Sequence, residues 1–357
     1  MGGSYFLKYL KCCEIDLPKA DMSILRNKKI AIDMYQLVYR FLHNEKKHFM
    51  TSMVCFIIYL SKYNIYPVFV IDGKPPIEKS GILRKRKAKK TKSQEEINKY
   101  QKTLENIESN IEKCKTEEEK IELTTLKEET LEQIKKYKKR TVKVTKKIID
   151  DIKDLFNFMK ITYVHIEDNE ADCVMAQLVK NKICFAALTN DSDLLTHECN
   201  IIIKNFDISK NSFTLIERDN ILTKLELTSK QLTDLIILNG TDYQCKRHPY
   251  DFPFIKDLLI KNNGMEKILK DLHFGLKEYE NVKNIYTKMI SKNELENKIY
   301  NYSYIDTFER SIRKSDIDMF YVLLRIKYNF NDKDFNSFKF NFTKFLNDYN
   351  ISSILSF

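Results

Sequence analysis

The sequence predicts an α/β protein with a central, mainly parallel sheet flanked by helices, a long helical insertion and a helical C-terminal part. Three observations predict it. Four short, nearly continuous apolar runs alternate with stretches of helical periodicity, the pattern of strands buried on both faces. Each run is followed closely by a polar or acidic residue. The 357 residues include only 7 Gly and 6 Pro, too few for a turn-dense all-β, collagen-like or low-complexity chain.

The first run, Lys29-Ile30-Ala31-Ile32, leads directly into Asp33 and then a helical pattern from Met34 to Leu42. The second, Val68-Phe69-Val70-Ile71, ends at Asp72 and leaves the strand through Gly73-Lys74-Pro75-Pro76, a tight exit. The third, Tyr163-Val164-His165-Ile166, precedes Asp168 and Glu170 at the entry to a helical pattern from Ala171 to Val179. The fourth, Ile183 to Leu188, leads into Thr189-Asn190-Asp191-Ser192-Asp193. Asp242 follows in Leu238-Asn239-Gly240-Thr241-Asp242-Tyr243. In parallel sheets, active sites lie beyond the carboxyl ends of the strands, so these seven carboxylates are expected to share one edge.

Between the second and third runs, from Gly81 to Lys147, the composition changes. Arg84 to Lys92 holds seven basic residues in nine, and Lys135 to Lys147 holds eight in thirteen. The intervening Ser93 to Ile134 has twelve Glu against six Lys, no Gly or Pro, and apolar residues at Leu104, Ile107, Ile111, Ile121, Leu126 and Leu131. A long helical hairpin with little core of its own is expected. Residues 1–270 are read as one domain carrying this 81–147 insertion. Residues 271–357, rich in Tyr, Phe, Asn and Lys, form an extension without a defensible motif.

A hydrophobic content of 43%, with 12% aromatic residues, suffices for a core and excludes wholesale disorder. The net charge of +11 favours a polyanionic partner without choosing which. The eight cysteines contain no Cys-x-x-Cys pair or zinc-site spacing, so reduced intracellular thiols are expected. No apolar run reaches the ~18 residues of a membrane span. No signal pattern follows Met1, and Phe6 breaks the myristoylation pattern. A soluble intracellular protein without a membrane partner is expected.

Several carboxylates within a few ångströms cannot all stay ionised unless their pKa values rise or cations neutralise them. Hard divalent cations with oxygen ligands are the usual answer, and Mg²⁺ uses few direct carboxylates while leaving room for phosphate. Any one Asp here is open to a role as helix cap or turn residue. Seven together at strand ends are not so easily explained.

On these residues the chain resembles the XPG-type structure-specific 5′-nucleases, and most closely the flap endonucleases. Met1-Gly2-Gly3-Ser4 is similar to the family's Met-Gly start, and Ala31-Ile32-Asp33 to its first acidic strand end. Val70-Ile71-Asp72-Gly73-Lys74-Pro75-Pro76 resembles its FDGKPP segment, and Arg140 to Lys146 the stretch leading into its internal domain. Asp168-Asn169-Glu170-Ala171-Asp172-Cys173 resembles EAEAxC, with Asp in place of the first Glu. Thr189 to Thr196 resembles TEDxDxLT, and Leu238 to Tyr243 resembles LLGSDY. The likeness covers roughly the first 245 residues.

The resemblance implies a PIN-like 5′-nuclease fold in which Asp33, Asp72, Asp168, Glu170, Asp191, Asp193 and Asp242 bind or position two Mg²⁺ ions, with Mn²⁺ able to substitute. Lys79 and Arg86 would reach from the base of a helical arch toward the scissile phosphate. Gly2, Tyr39, Lys89, Lys90 and Lys143 would contact DNA, Tyr39 by stacking on an unpaired base. The substrate would be DNA with a 5′ flap, nick or junction, rather than RNA, handled by a monomer in the nucleus or another site of DNA replication. Three features depart from the family, the first being an insert between Asp72 and Lys143 longer than in a typical flap endonuclease. Residues 244–272, where it places a K⁺-binding helix-two-turn-helix, lack its Gly-rich turn in Gln244 to Pro253. The tail Ile351 to Phe357 lacks the residues of a sliding-clamp peptide.

The expected activity is therefore metal-dependent flap endonuclease and 5′→3′ exonuclease cleavage. The competing readings are a four-way-junction resolvase or pure 5′→3′ exonuclease of the same family, a 5′→3′ exoribonuclease, and a non-catalytic DNA-binding scaffold. The last is disfavoured because none of the seven acidic positions is lost.

Overall fold

The computed structural model describes residues 2–44, 49–243, 251–261, 264–301 and residue 336. Among them eight strands form one sheet: β1 (Lys19–Asp21), β2 (Lys29–Asp33), β3 (Tyr66–Ile71), β4 (Thr162–His165), β5 (Ala186–Leu188), β6 (Ile201–Asp207), β7 (Ser212–Glu217) and β8 (Ile299–Tyr300). Their order is β1-β7-β6-β5-β2-β3-β4-β8. The five interior strands, from β6 to β4, run parallel. The edges are closed by the antiparallel pairings of β7 with β6 and β1, and of β8 with β4. The sheet is thus mixed around a parallel centre, and the fourth apolar run is shorter as a strand than its sequence suggests, only Ala186–Leu188.

Side-chain alternation sends the two faces of each central strand into different cores. Ile30 and Ile32 of β2, with Phe69 and Ile71 of β3, pack under the helices Met34–Asn44, Phe49–Lys62 and Lys146–Phe158. Ala31, Val68 and Val70 face the other way, under the helices Ala171–Lys180 and Ser229–Asn239. Helix Phe49–Lys62 is buried at every position from Met50 to Ser61 except Ser52, which explains why its apolar residues show no polar face.

The helical hairpin consists of Ser80–Lys113 and Glu117–Thr141. The second helix starts with Thr116 accepting from the Glu119 amide, carries Glu117, Glu118 and Glu119 in its first turn, and ends on Lys138, Lys139 and Arg140. Those charges complement the helix dipole at both ends. The seam between the helices buries Ile97, Ile107 and Ile134, stacks Tyr100 on Tyr137 at 5.8 Å, and pairs Lys127 with Glu108 at 2.8 Å. Ile121, Leu126 and Leu131 are exposed. Because the chain leaves at Ser80 and returns at Thr141, both basic runs lie at the hairpin's base and the Glu-rich stretch rises away from it.

Of the region without a sequence motif, helix Leu276–Tyr286 packs against Ser229–Asn239. There, buried Asp234 accepts from the Tyr279 hydroxyl at 2.6 Å and pairs with Lys283 at 2.8 Å. The Gly-poor stretch 244–250, the tail and nearly all of 302–357 lie outside the described residues.

Candidate active site

Four parallel strand ends set up the acidic edge. Asp33 is the last residue of β2; one carboxylate oxygen accepts from the Gln36 amide at 2.9 Å, starting the next helix, and the other from the Thr189 hydroxyl at 3.2 Å. Asp72 follows β3 and accepts from the Ala171 amide at 2.7 Å, so it caps a helix from across the sheet. Glu170 begins that same helix; it pairs with Lys79 and accepts from the Tyr243 hydroxyl. Asp191 accepts from the Asp193 amide at 3.0 Å, and its own amide donates to the Thr189 hydroxyl, which braces the loop after β5. Asp242 lies just past Gly240, whose φ of 110° lets helix Ser229–Asn239 end abruptly; its carboxylate pairs with Arg86.

Burial, and after it repulsion across this edge, favour the neutral form of its carboxyls. Burial, then Asp72, push the Asp33 carboxyl up to about 7, with Asp191 adding to the effect. Burial, then Asp191 and Asp242, push Asp193 up to about 7. Asp72 is raised by burial and then by Glu170. Burial alone would lower the Lys79 ammonium, but Glu170, Asp172 and Asp72 together hold it above its ordinary value. Buried Lys204 of β6, lowered by desolvation, donates to the Ser192 hydroxyl at 2.8 Å, between Asp191 and Asp193.

Asp168 lines a pocket together with Glu170 and Tyr243. It is exposed in the turn before the helix, where Gly73 donates to the Asn169 carbonyl at 2.9 Å and Asn169 to that of Ile166 at 3.2 Å. Asp172, one residue inside the helix, is a further member of the edge: its carboxyl is pushed well up by burial and then by Asp191, Asp33 and Asp72. Asp172 has its own sequence signal, being one of only two charges, with Lys180, in the helix Ala171–Lys180. Sequence reasoning also passed over Tyr243, Lys204 and Gln36, whose side-chain amide oxygen accepts from Asn190 at 2.7 Å.

A cleft of about 930 Å³ opens at the hairpin base, lined by Tyr39, Arg86, Lys89, Lys90, Tyr137, Lys139 and Arg140 among others. Lys90 lies 5.5 Å over the Tyr39 ring and donates to the Val142 carbonyl at 3.0 Å, tying the two hairpin legs together. Arg86 links this cleft to the acidic edge through Asp242. Lys143 is exposed in the link between helices Glu117–Thr141 and Lys146–Phe158, and Gly2 opens the helix Gly2–Cys12.

The donor set suits hard cations: every candidate ligand is a carboxylate oxygen. One Asp193 oxygen is buried without a hydrogen-bond donor among the described residues. Among the described residues no three carboxylates close on one point as a preformed cage. Glu170 and Asp242 are instead tied to Lys79 and Arg86. A cation that keeps most of its waters fits such an open edge; one needing a rigid all-protein cage does not.

An acidic strand edge beneath a cationic helical hairpin defines a phosphodiester hydrolase of the nuclease class. The XPG N-terminal domain profile matches residues 1–93 and the XPG I-region profile residues 160–242, which bracket the helical insertion. The chain thus carries an XPG N-terminal region and an XPG I-region. It is 28% identical over 287 residues to flap endonuclease 1 of Methanococcus aeolicus, covering 76% of this chain and 78% of the relative. To flap endonuclease 1 of Aedes aegypti it is 30% identical over 262 residues, covering 69% of this chain but less than two thirds, 62%, of the relative. The fold is similar to that of flap endonuclease-1 from Methanococcus jannaschii, with a TM-score of 0.57 and 22% identity over 94% of this chain and 97% of that one.

Proposed function

We propose that the protein is a divalent-metal-dependent, structure-specific 5′-nuclease that hydrolyses DNA phosphodiesters next to a single-strand/double-strand junction, as a flap endonuclease and 5′→3′ exonuclease. One observation carries this reading. Arg86 pairs with Asp242 of the acidic edge and also lines the basic, aromatic cleft, so the place where a phosphate would be cut adjoins the place where a strand would be held.

Asp33, Asp72, Glu170, Asp172, Asp191, Asp193 and Asp242 would hold the metal ions directly or through water. Two bound Mg²⁺ ions would supply an activated water and stabilise the leaving oxygen. The protein's own groups do the rest. Lys79 and Arg86 bring positive charge to the acidic edge, where it can meet a phosphate otherwise repelled by seven carboxylates. Tyr243 orients Glu170 by its hydroxyl, and Thr189 and Gln36 fix the loops bearing Asp33 and Asp191. Tyr39 offers a stacking surface for an unpaired base, worth about 1–3 kcal/mol.

The test is a gel assay of end-labelled flap, nicked, four-way-junction and matched RNA-flap substrates in Mg²⁺, Mn²⁺ and EDTA. Cleavage of flap and nick with either metal and none in EDTA is expected. Asp72→Ala and Asp191→Ala should abolish cleavage while leaving flap binding largely intact. Full turnover by either variant in Mg²⁺ would sink the mechanism, and a preference for the four-way junction would reassign the substrate.

A further inference from the structure

The basic cleft contains a second aromatic station that the family resemblance does not supply. Tyr137 lies on the returning hairpin helix, on a different element from Tyr39, and lines the same cleft. Its ring carries two neighbours: Tyr100 of the outgoing helix stacks on it at 5.8 Å with an interplanar angle of 27°, and the Arg140 guanidinium lies over it, 5.2 Å from its centroid. Tyr39 has the same company in simpler form, with Lys90 5.5 Å over its ring. Each wall of the cleft therefore presents one aromatic ring with one cation over it.

That pairing has a chemical meaning. Alternating rings and cations match a ligand with alternating flat faces and negative charges, which is a single-stranded nucleic acid with its bases unstacked. In a duplex the base faces are closed to protein side chains, and a cleft of about 930 Å³ accommodates a few nucleotides of single strand rather than a double helix. Glu96 is the one acidic residue among those lining it. The cleft also begins at Arg86, so a strand lying in it leads to the acidic edge.

We propose that Tyr137, backed by Tyr100 and paired with Arg140, is a second base-stacking site, which grips an unpaired base of a single-stranded 5′ extension while Tyr39 holds another nearer the cut. This rests on the reading given under Proposed function and adds a specificity determinant to it: the two-ring cleft favours substrates whose single strand is long enough to span both stations. Arg140 would move from the ring to a backbone phosphate as the base arrives, so the stack is exchanged rather than simply lost.

Fluorescence anisotropy in EDTA tests this with the full chain and four ligands: duplexes with a 5′ single strand of one nucleotide or several, the longer one carrying a single abasic nucleotide scanned along it, and a blunt duplex. Tyr137→Ala should weaken binding of the long extension about five- to a hundredfold, and Tyr137→Phe should restore it, because stacking needs the ring and not the hydroxyl. At one position of the scan an abasic nucleotide should cost the unaltered protein a similar factor and cost Tyr137→Ala nothing further. Circular dichroism of the variants guards against a misfolded hairpin. Equal binding of the long extension by Tyr137→Ala and the unaltered protein, with no sensitive abasic position, overturns the second station alone. If the unaltered protein binds blunt duplex as tightly as extended ones, the junction-specific function itself fails.

Discussion

The backbone N–H of Gly73 donates to the carbonyl of Asn169 across 2.9 Å, joining the loop after β3 to the loop after β4. The amide of Lys74 donates to the Glu167 carbonyl in the same seam. A methyl group on Gly73 would overlap the carbonyl oxygens of Ile166, Glu167 and Asn169, all of them backbone and unable to swing away. This seam sets the distance between Asp72 and the helix bearing Glu170 and Asp172. Gly73→Ala should therefore spread the acidic edge. A misplacement of about 1 Å can cost about 10²-fold in rate, so kcat/KM should fall by tenfold or more while the melting temperature drops only a few degrees. Unchanged kinetics in Gly73→Ala would show that the two loops adjust independently.

Asp168 and Asp172 make opposite predictions from almost the same place in the sequence. Asp168 is exposed in the turn before the helix; Asp172, inside it, faces Asp191, Asp33 and Asp72. Asp168→Asn should change cleavage by no more than about twofold, the scale of an exposed substitution. Asp172→Asn should cost about 10–100-fold in metal affinity or activity. Metal affinity, read by calorimetry with Mg²⁺ or Mn²⁺, separates loss of a ligand from loss of substrate contact. The reverse ranking would restore Asp168 to the site.

The strand-end carboxylates were legible because β2, β3, β4 and β5 are buried on both faces and read as unbroken apolar runs, each followed closely by charge. What failed to show in the sequence depends on three-dimensional register. That Asp172 faces the other carboxylates is decided by where the helix starts, which motif likeness does not resolve. β1 and β8, of three and two residues, exist only through pairing with β7 and β4. The stack of Tyr100 on Tyr137 joins residues 37 positions apart and follows from the pairing of two long helices, which composition announces without aligning.

Stability should fall as pH rises through the metal-free protein's acidic range. Asp33 and Asp193 titrate near 3.8 when unfolded and at about 7 when folded, because burial and neighbouring carboxylates favour the neutral form. Between those values the folded state holds protons that the unfolded state has released. Each pKa unit of difference corresponds to roughly 1.4 kcal/mol. The stabilisation is complete below about pH 4 for these groups and gone above about pH 7. Asp72 and Asp172 are raised too and act in the same sense. Melting temperatures measured in EDTA from pH 4.5 to 8 should show a downward component that saturating Mg²⁺ flattens, since a cation favours the ionised carboxylates. Parallel curves with and without metal would mean that these groups do not share a cation site.

The buried group formed by Asp234, Tyr279 and Lys283 gives the helix Leu276–Tyr286 its grip on the helix Ser229–Asn239. Asp234 accepts from Tyr279 at 2.6 Å and Lys283 at 2.8 Å, and Lys283 also donates to the Tyr279 hydroxyl at 2.7 Å. From the same helix, Tyr286 packs at 4.7 Å from His197 and edge-on to Tyr243 at 5.1 Å, and Tyr243 holds Glu170. Asp234→Ala leaves a partly buried ammonium and a phenol without their shared acceptor. The expected loss is about 2–4 kcal/mol in urea unfolding, short of the full cost of an orphaned buried charge because Lys283 is still 22% exposed. Combining Asp234→Leu with Lys283→Met removes both charges and should recover much of the loss, since an apolar pair of similar volume needs no desolvation. Catalysis should follow the position of Tyr243 more than global stability. Asp234→Ala, assayed well below its melting temperature, should thus show a lowered kcat with substrate affinity kept; a kcat equal to that of the unaltered protein would confine the buried group to stability.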